Sequence, residues 1–244
     1  MSINYLSESL FIKDGITYFI DKQNIKKVTK YNWHNIMNSI GWKKLNINWI
    51  KKLNNLSENT PHNSLYGALD CGGDGDCFFN CIAHALNYKL DENNMFYTSS
   101  ILRNLLAESI SKNKYNEIIE LYKIYYDNNE LLEDWNPYET TYPQFIDIIK
   151  QSDFWGDYLL FNEFINLFKI NIIILNVNTI DKAYNIYNTL HTYNSSLPTI
   201  ILNYEDNMHF TLFGYFVNNK MVYLFTDDIL PTEIVILIKR EFCY

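Results

Sequence analysis

The segment Asp70–Leu86 constrains this chain more than any other stretch. Three of the eight glycines in the protein, Gly72, Gly73 and Gly75, fall within four consecutive positions, and an apolar run of helical period follows at Cys77. The pattern predicts a sharp turn leading into a helix from about Cys77 to Leu86. A cysteine at such a junction is a candidate nucleophile, because the amides and dipole at a helix start favour the thiolate.

The turn itself also supplies backbone amides as hydrogen-bond donors. Gly75 permits backbone angles that other residues avoid, so the amides of the loop can converge beside the Cys77 sulfur. Converging amides are what a tetrahedral oxyanion requires. We therefore expect the oxyanion loop to consist of Asp74, Gly75, Asp76 and Cys77.

A nucleophilic cysteine also needs a base, and the chain has five histidines. His84 is two turns along the same predicted helix, too far to meet the sulfur. His209 opens a β-type run late in the chain, after a polar segment, where a base facing a helix-borne cysteine would sit. From spacing alone, His209 as a base and His209 as a structural histidine stay equally open. The others are assigned to a surface helix, a linker and a polar loop (His34, His62, His191).

Three blocks in order resemble the ovarian-tumour (OTU) family of cysteine peptidases. Asp74-Gly75-Asp76-Cys77-Phe78-Phe79 resembles the nucleophile signature of the family, Trp155-Gly156-Asp157 its Trp-Gly-acidic segment, and Met208-His209-Phe210 its His-aromatic block. The helix at 101–110, with Arg103, is similar to the family helix that follows the nucleophile. The resemblance covers about residues 65–216.

The resemblance implies an α+β, papain-like OTU fold, with a small, mostly antiparallel sheet flanked by helices. It implies a catalytic set of Asp74, Cys77 and His209, and ubiquitin or ubiquitin-like conjugates as substrates. Many members carry Asn or Asp two residues after the histidine, where this chain has Thr211. The group that orients His209 therefore stays open among Thr211, Asn207, Asp206, Asp227 and Asp228.

Charge and polar composition suggest two parts. Residues 1–60 carry nine Lys and four Asp or Glu, whereas residues 61–244 carry eleven Lys or Arg and twenty-four Asp or Glu. The polar stretch at 58–64 contains Pro61 and predicts a boundary. We expect a basic N-terminal extension over 1–60, as a partner or substrate element, and a peptidase domain over 61–244. An acidic body suits a basic or neutral protein partner and argues against nucleic acid.

Parts of the sequence are also compatible with other sites and functions. Cys77, Cys81 and His84 share a helical face, but zinc would need Cys243 to complete the set, so we expect no metal and no cofactor. A catalytically weak or inactive ubiquitin-binding module and a viral polyprotein-processing peptidase stay open. Heavy use of Asn, Ile, Lys and Tyr is typical of AT-rich genomes, such as those of some viruses and protists.

We expect an intracellular, cytoplasmic protein without a membrane span or signal peptide.

The remaining pattern predicts the elements around these blocks. Helices are expected at 33–40, 99–110, 118–126 and 159–168, and Pro143 is expected to open a short helix. Strands are expected at 15–20, 170–175, 199–202, 209–216, 221–225 and 234–238, with Asn218-Asn219 as a hairpin turn.

Overall fold

A computed structural model describes most of the chain. The described residues are 3–56, 65–73, 75–89, 96–131, 134–156, 158–178, 183–187, 193–205 and 209–241. They form two β-sheets and eight α-helices, with several short 3₁₀ turns.

The N-terminal sheet is a four-stranded antiparallel meander in the order β1-β2-β3-β4. Its strands are β1 (Ile3–Tyr5), β2 (Leu10–Lys13), β3 (Ile16–Asp21) and β4 (Asn24–Lys27). The sheet meets the rest of the molecule where the amide of Thr17 donates to the carbonyl of Asn219 at 3.0 Å. Asn219 lies in the turn after the central strand of the larger sheet, so the meander adjoins one end of that strand.

The larger sheet runs in the order β5-β6-β10-β9-β7-β8, and β11 pairs with β10. Its strands are β5 (Trp42–Lys44), β6 (Tyr66–Leu69), β7 (Asn171–Asn178), β8 (Ala183–Tyr187), β9 (Thr199–Glu205), β10 (His209–Val217) and β11 (Lys220–Val222). The pairings are antiparallel except for β7 with β9. Asn218 and Asn219 both adopt positive φ, as a tight hairpin turn requires.

Helices cover both faces of the larger sheet. They are α1 (Trp33–Ile36), α2 (Ile47–Leu56), α3 (Cys77–Leu86), α4 (Ser99–Ser109), α5 (Lys112–Asp127), α6 (Tyr142–Lys150), α7 (Phe161–Phe168) and α8 (Thr232–Glu241). Alternate residues of β10 enter two separate cores. Phe210 and Leu212 pack with α3, α4 and α7, and Phe213 packs with α2 and α8. The nucleophile helix α3 is thus seated directly on the strand that begins with His209.

The α+β class with a mostly antiparallel sheet is confirmed, as is the helix at Cys77–Leu86. The strand predicted at 234–238 is wrong, because this segment belongs to α8. Pro231 precedes the helix, Glu233 lies in its first turn, and Ile234, Leu237 and Ile238 form one buried stripe. The helix-start residues, and the recurrence of apolar residues every three or four positions, favour a helix more strongly than the β-branched composition favours a strand.

The predicted boundary at residue 60 lies outside the described residues. On its N-terminal side, β5 joins the larger sheet, and Trp33, Trp42 and Trp49 are each no more than 2% exposed in its cores. The division into an extension and a peptidase domain stays a prediction. Within the described ranges, no helix combines the length and apolar character needed to cross a bilayer.

Candidate active site

Cys77 is the first residue of α3 and is 5% exposed. Burial raises the pKa of its thiol above the ordinary value, and the Asp70 carboxylate acts in the same direction. Hydrogen bonds from the backbone of Phe210, Phe78 and Cys77 itself favour the thiolate and offset part of this rise. The sulfur therefore lies in a pocket of backbone donors but is predominantly a thiol at neutral pH.

The strand that begins with His209 packs against the helix that begins with Cys77. Phe210, which follows His209, hydrogen-bonds through the backbone to the Cys77 sulfur, and the Phe210 ring packs edge-on against Phe78 at 5.6 Å. The Cys81 thiol, one turn along α3, also lies 3.6 Å from the carbonyl oxygen of Phe210. These contacts fix the start of β10 against the start of α3.

Asp70 holds the imidazole of His209. Its Oδ1 lies 3.2 Å from Nε2 of His209 and accepts the amide of Gly72 at 3.0 Å. The Gly72 bond, with the nearby His209, lowers the pKa of the Asp70 carboxyl. Gly72 closes this Asx turn at a φ of +107°, which glycine adopts without steric cost. The carboxylate is thus oriented by the backbone and presented to the histidine.

The loop before Cys77 is tightly packed. Gly75 has a φ of +85°, and a Cβ at this position would collide with the carbonyl of Ser152. The Asp76 amide donates to the Gly73 carbonyl at 3.2 Å, so it serves to close the turn. The Asp76 side chain makes no cap bond to α3. The first amides of the helix are therefore not capped by this carboxylate, and they face the region of the sulfur.

Arg103 on α4 explains why Asp76 does not cap the helix. This side chain is 2% exposed, and its Nε and Nη2 lie 2.9 and 2.7 Å from Asp76 Oδ1. Nη2 also donates to the Gly75 carbonyl at 3.1 Å, and Nη1 donates to the Ile149 carbonyl at 3.1 Å. The guanidinium packs 3.8 Å above the Phe79 ring. One side chain thus joins the loop to α3, α4 and the end of α6.

Of the groups considered for orienting His209, Thr211 points elsewhere. Thr211 Oγ1 accepts from Asn203 Nδ2 at 3.1 Å on the neighbouring strand. Asp227 accepts from Tyr193 at 3.2 Å. In the described part of the chain, the hydrogen-bond partner of the His209 ring is Asp70, which the sequence pattern did not single out for this role. Asp74, Asn207, Asp206 and Asp157 lie outside the described residues.

The Trp-Gly block lies beside the nucleophile. The backbone of Gly156 approaches the Phe78 ring so closely that a Cβ would overlap it. Trp155 is 36% exposed next to this contact. In the ranges that the structure describes, no group of three or more His, Cys, Asp and Glu side chains is arranged to hold a metal.

The raised thiol pKa has a measurable consequence. Alkylation of Cys77 by iodoacetamide should accelerate as pH rises through 8 and above, because only the thiolate reacts and burial delays its formation. Mass spectrometry of the Cys77 peptide over a pH series measures this rate. A rate that is already maximal and constant at neutral pH would contradict the prediction.

Comparison with known proteins places Cys77, Arg103 and His209, but not Asp70, within the range of one family model. A model described as OTU-like cysteine protease matches residues 72–211. No curated protein sequence matches significantly. Among solved structures, an ovarian tumor (OTU) domain in complex with ubiquitin is 11% identical, with a TM-score of 0.43, covering 72% of this chain and 83% of that one. An OTU deubiquitinase from Wolbachia pipientis wMel bound to ubiquitin is 15% identical, with a TM-score of 0.42, covering 67% and 97%.

Proposed function

Because the chain belongs to the OTU-like cysteine protease family, we propose that it is a deubiquitinase that hydrolyses isopeptide bonds of ubiquitin or a ubiquitin-like modifier. The observation that carries the proposal is that Asp70 contacts the His209 ring and also acts electrostatically on the Cys77 thiol, where the end of β6 and the start of β10 meet the start of α3. A buried thiol with backbone donors, beside a histidine held by a carboxylate, is suited to acyl transfer.

In the proposed mechanism, His209 takes the proton from Cys77 as the sulfur attacks the carbonyl carbon. The resulting oxyanion is stabilised by amides at the start of α3 and by amides of the loop Asp74–Cys77 other than that of Asp76, which closes the turn. Collapse of this intermediate breaks the C–N bond, and His209 returns the proton to the departing lysine nitrogen. Water, deprotonated by His209, then hydrolyses the thioester and regenerates the thiol.

Asp70 acts as a positioning residue in this scheme. Because Asp70 bonds Nε2, we assign the proton exchange with the sulfur to Nδ1 of His209, and the negative charge of Asp70 favours the imidazolium formed on proton transfer. The charge pattern supports a protein substrate. Residues 61–244 carry an excess of thirteen acidic side chains, which favours encounter with a basic modifier or a basic target segment.

A ubiquitin probe with a C-terminal electrophile tests the proposal. The native protein should form a covalent adduct at Cys77, and Cys77→Ser should not. Cys81→Ala is the matched control, because Cys81 lies one turn away and is fully buried, so this variant should still be labelled. A folded native protein that gives no adduct with ubiquitin or ubiquitin-like probes would overturn the proposal.

Asp70→Asn should lower kcat on a ubiquitin substrate by about tenfold to a hundredfold with little change in KM. We expect less than the roughly 10⁴-fold loss seen for a buried triad aspartate, because the Asp70 side chain is 55% exposed and its charge is screened by water. Steady-state kinetics measures the split, with Asp147→Asn as a control on an exposed acidic residue of α6. Equal losses in both variants would contradict a specific role for Asp70.

A further inference from the structure

The N-terminal meander has one face packed on the molecule and one face turned away from it. Residues paired across neighbouring strands lie on the same face of a sheet, so the register assigns each side chain to a face. Leu10, Thr17 and Phe19 share the inner face, where Leu10 and Thr17 are each 1% exposed and Phe19 packs on the core. The outer face carries Tyr5, Phe11, Tyr18, Ile20 and Ile25, with Lys13 and Lys27. The catalysis proposed above uses none of these outer-face residues.

Apolar side chains extend across the outer face over all four strands. The Phe11 ring lies between the Tyr5 and Tyr18 rings, with centroid distances of 5.6 and 5.7 Å. Ile20 and Ile25 are direct cross-strand partners on β3 and β4. Tyr5, Ile20 and Ile25 are 64, 41 and 65% exposed. The water-facing side of an antiparallel sheet is ordinarily polar, so an exposed apolar face of this kind marks an interaction surface.

The charged side chains on the outer face are basic. The register places Lys13 and Lys27 there, whereas Asp21, the acidic residue of the meander strands, lies on the inner face and is ion-paired. Glu8 and Asp14 lie in turns of the meander. The outer face therefore favours an acidic partner, whereas the excess of thirteen acidic side chains over residues 61–244 favours a basic one. The molecule suited to the outer face is thus chemically distinct from the basic modifier suited to the rest of the protein.

The last strand of the meander adds backbone groups to this surface. β4 ends the strand order, and each of its residues is exposed. Among the described residues, no strand pairs with the edge of β4 opposite β3. An extended peptide can add to such an edge through main-chain hydrogen bonds, and its alternate side chains then continue the faces of the sheet. A strand added here would place side chains beside Ile25 and Lys27, which suits an apolar and an acidic residue two positions apart.

We propose that the outer face and the free edge of β4 bind an extended acidic segment of a partner protein as a fifth strand. The segment carries an apolar side chain for contact with Ile25 and, two residues away, a carboxylate for Lys27. The meander adjoins the turn after β10, whereas His209 begins that strand, about 25 Å away at the rise of a strand. The surface is therefore separate from the candidate active site, and the inference does not rest on the proposed function.

Selection from a phage-displayed library of random dodecapeptides tests the assignment on the full-length protein. The library is first depleted on Ile20→Ser/Ile25→Ser, a variant that lacks the exposed apolar pair, and is then selected on the native protein. We expect the enriched peptides to contain Asp or Glu two positions from an apolar residue. No enrichment, or enrichment of basic or uncharged peptides, would overturn the proposal.

Fluorescence anisotropy then measures the affinity of the most enriched peptide. Lys13→Glu/Lys27→Glu should weaken binding by about tenfold, and N-methylation of the central peptide amides should weaken it by about tenfold as well. Ile124→Ser and Lys150→Glu are the matched controls, because they alter exposed residues of α5 and α6, and both should bind within about twofold of the native protein. Unchanged affinity after the charge reversal or after N-methylation would overturn the assignment of an acidic strand.

Other occupants of the outer face give different results. Binding to phosphatidylserine vesicles or to a DNA duplex that Lys13→Glu/Lys27→Glu abolishes, without an enriched peptide, would overturn the assignment to a protein segment. A native dimer that Ile20→Ser/Ile25→Ser converts to a monomer in light scattering would assign the face to a second copy instead. Thermal unfolding shows whether each variant is folded. Labelling of Cys77 by the ubiquitin probe should be unchanged in these variants and reports the proposed function separately.

Discussion

Replacing His209 with alanine should lower kcat/KM on a ubiquitin isopeptide by about a hundredfold to ten-thousandfold, the range contributed by a positioned general acid and base. The loss is expected in kcat, because the imidazole acts on the proton during bond formation and cleavage. Burial raises the pKa of the Cys77 thiol, so the sulfur depends on a neighbouring base at neutral pH. Steady-state kinetics from pH 6 to 9 measures the effect.

Thr211→Val is the matched comparison on the same strand. Thr211 follows His209 by two residues, but its hydroxyl is bonded to Asn203. The substitution removes this buried hydrogen bond, so it should lower the free energy of unfolding by about 1–3 kcal/mol. We expect kcat to change by less than about threefold. This corresponds to a change in activation free energy well below the roughly 1.4 kcal/mol that gives a tenfold change in rate.

The two variants together decide which residue supports catalysis. A large kcat loss in both would indicate that Thr211 orients the histidine in the working enzyme. Negligible losses in both would show that His209 is not the base. Thermal unfolding of each variant separates these outcomes from loss of the folded state.

Local patterns account for the parts of the site that were predicted. The glycine turn, the helix start at Cys77 and the β-type run from His209 each lie within a few residues, so their spacing reveals them. Asp70 differs because its role depends on strand pairing. β6 ends at Leu69, which pairs with Leu212 on β10, and this places Asp70 beside the start of the histidine strand. Asp70 and His209 are 139 residues apart in sequence, so no local period in the sequence reveals their contact.

Long-range strand pairing also explains why β5 could not be predicted from the sequence. Trp42–Lys44 has a weak local pattern, yet it completes the edge of the larger sheet by pairing with β6. The error at 234–238 has a different origin. Its Ile-Val-Ile composition favours a strand, but Pro231 and Glu233 are helix-start signals that outweigh it.

Replacing Arg103 with methionine should destabilise the protein and disable the site together. The guanidinium donates to the carboxylate of Asp76 and to the carbonyls of Gly75 and Ile149. Removing one partner of a buried charge pair costs about 3–5 kcal/mol, which corresponds to a fall in Tm of about 6–20 °C for a chain of this size. Arg103→Lys should recover little, because one ammonium cannot reproduce the planar fork.

The expected kinetic effect of Arg103→Met follows from the contact with Gly75. This bond holds the loop that carries Cys77, and a displacement of about 1 Å at a catalytic centre can lower kcat a hundredfold. Differential scanning calorimetry and probe labelling below the lowered Tm measure the two effects separately. Arg240→Met is the control, since Arg240 is exposed at the end of α8 and should change stability by less than about 0.5 kcal/mol.

A double variant distinguishes a charge effect from a positional one. Asp76→Asn in the Arg103→Met background removes the carboxylate that would otherwise be left without its partner, so part of the lost stability should return. Labelling of Cys77 should stay low, because the Gly75 and Ile149 carbonyls still lack their donor. If labelling recovered along with Tm, Arg103 would act only by neutralising Asp76, and the geometric role assigned to it would be wrong.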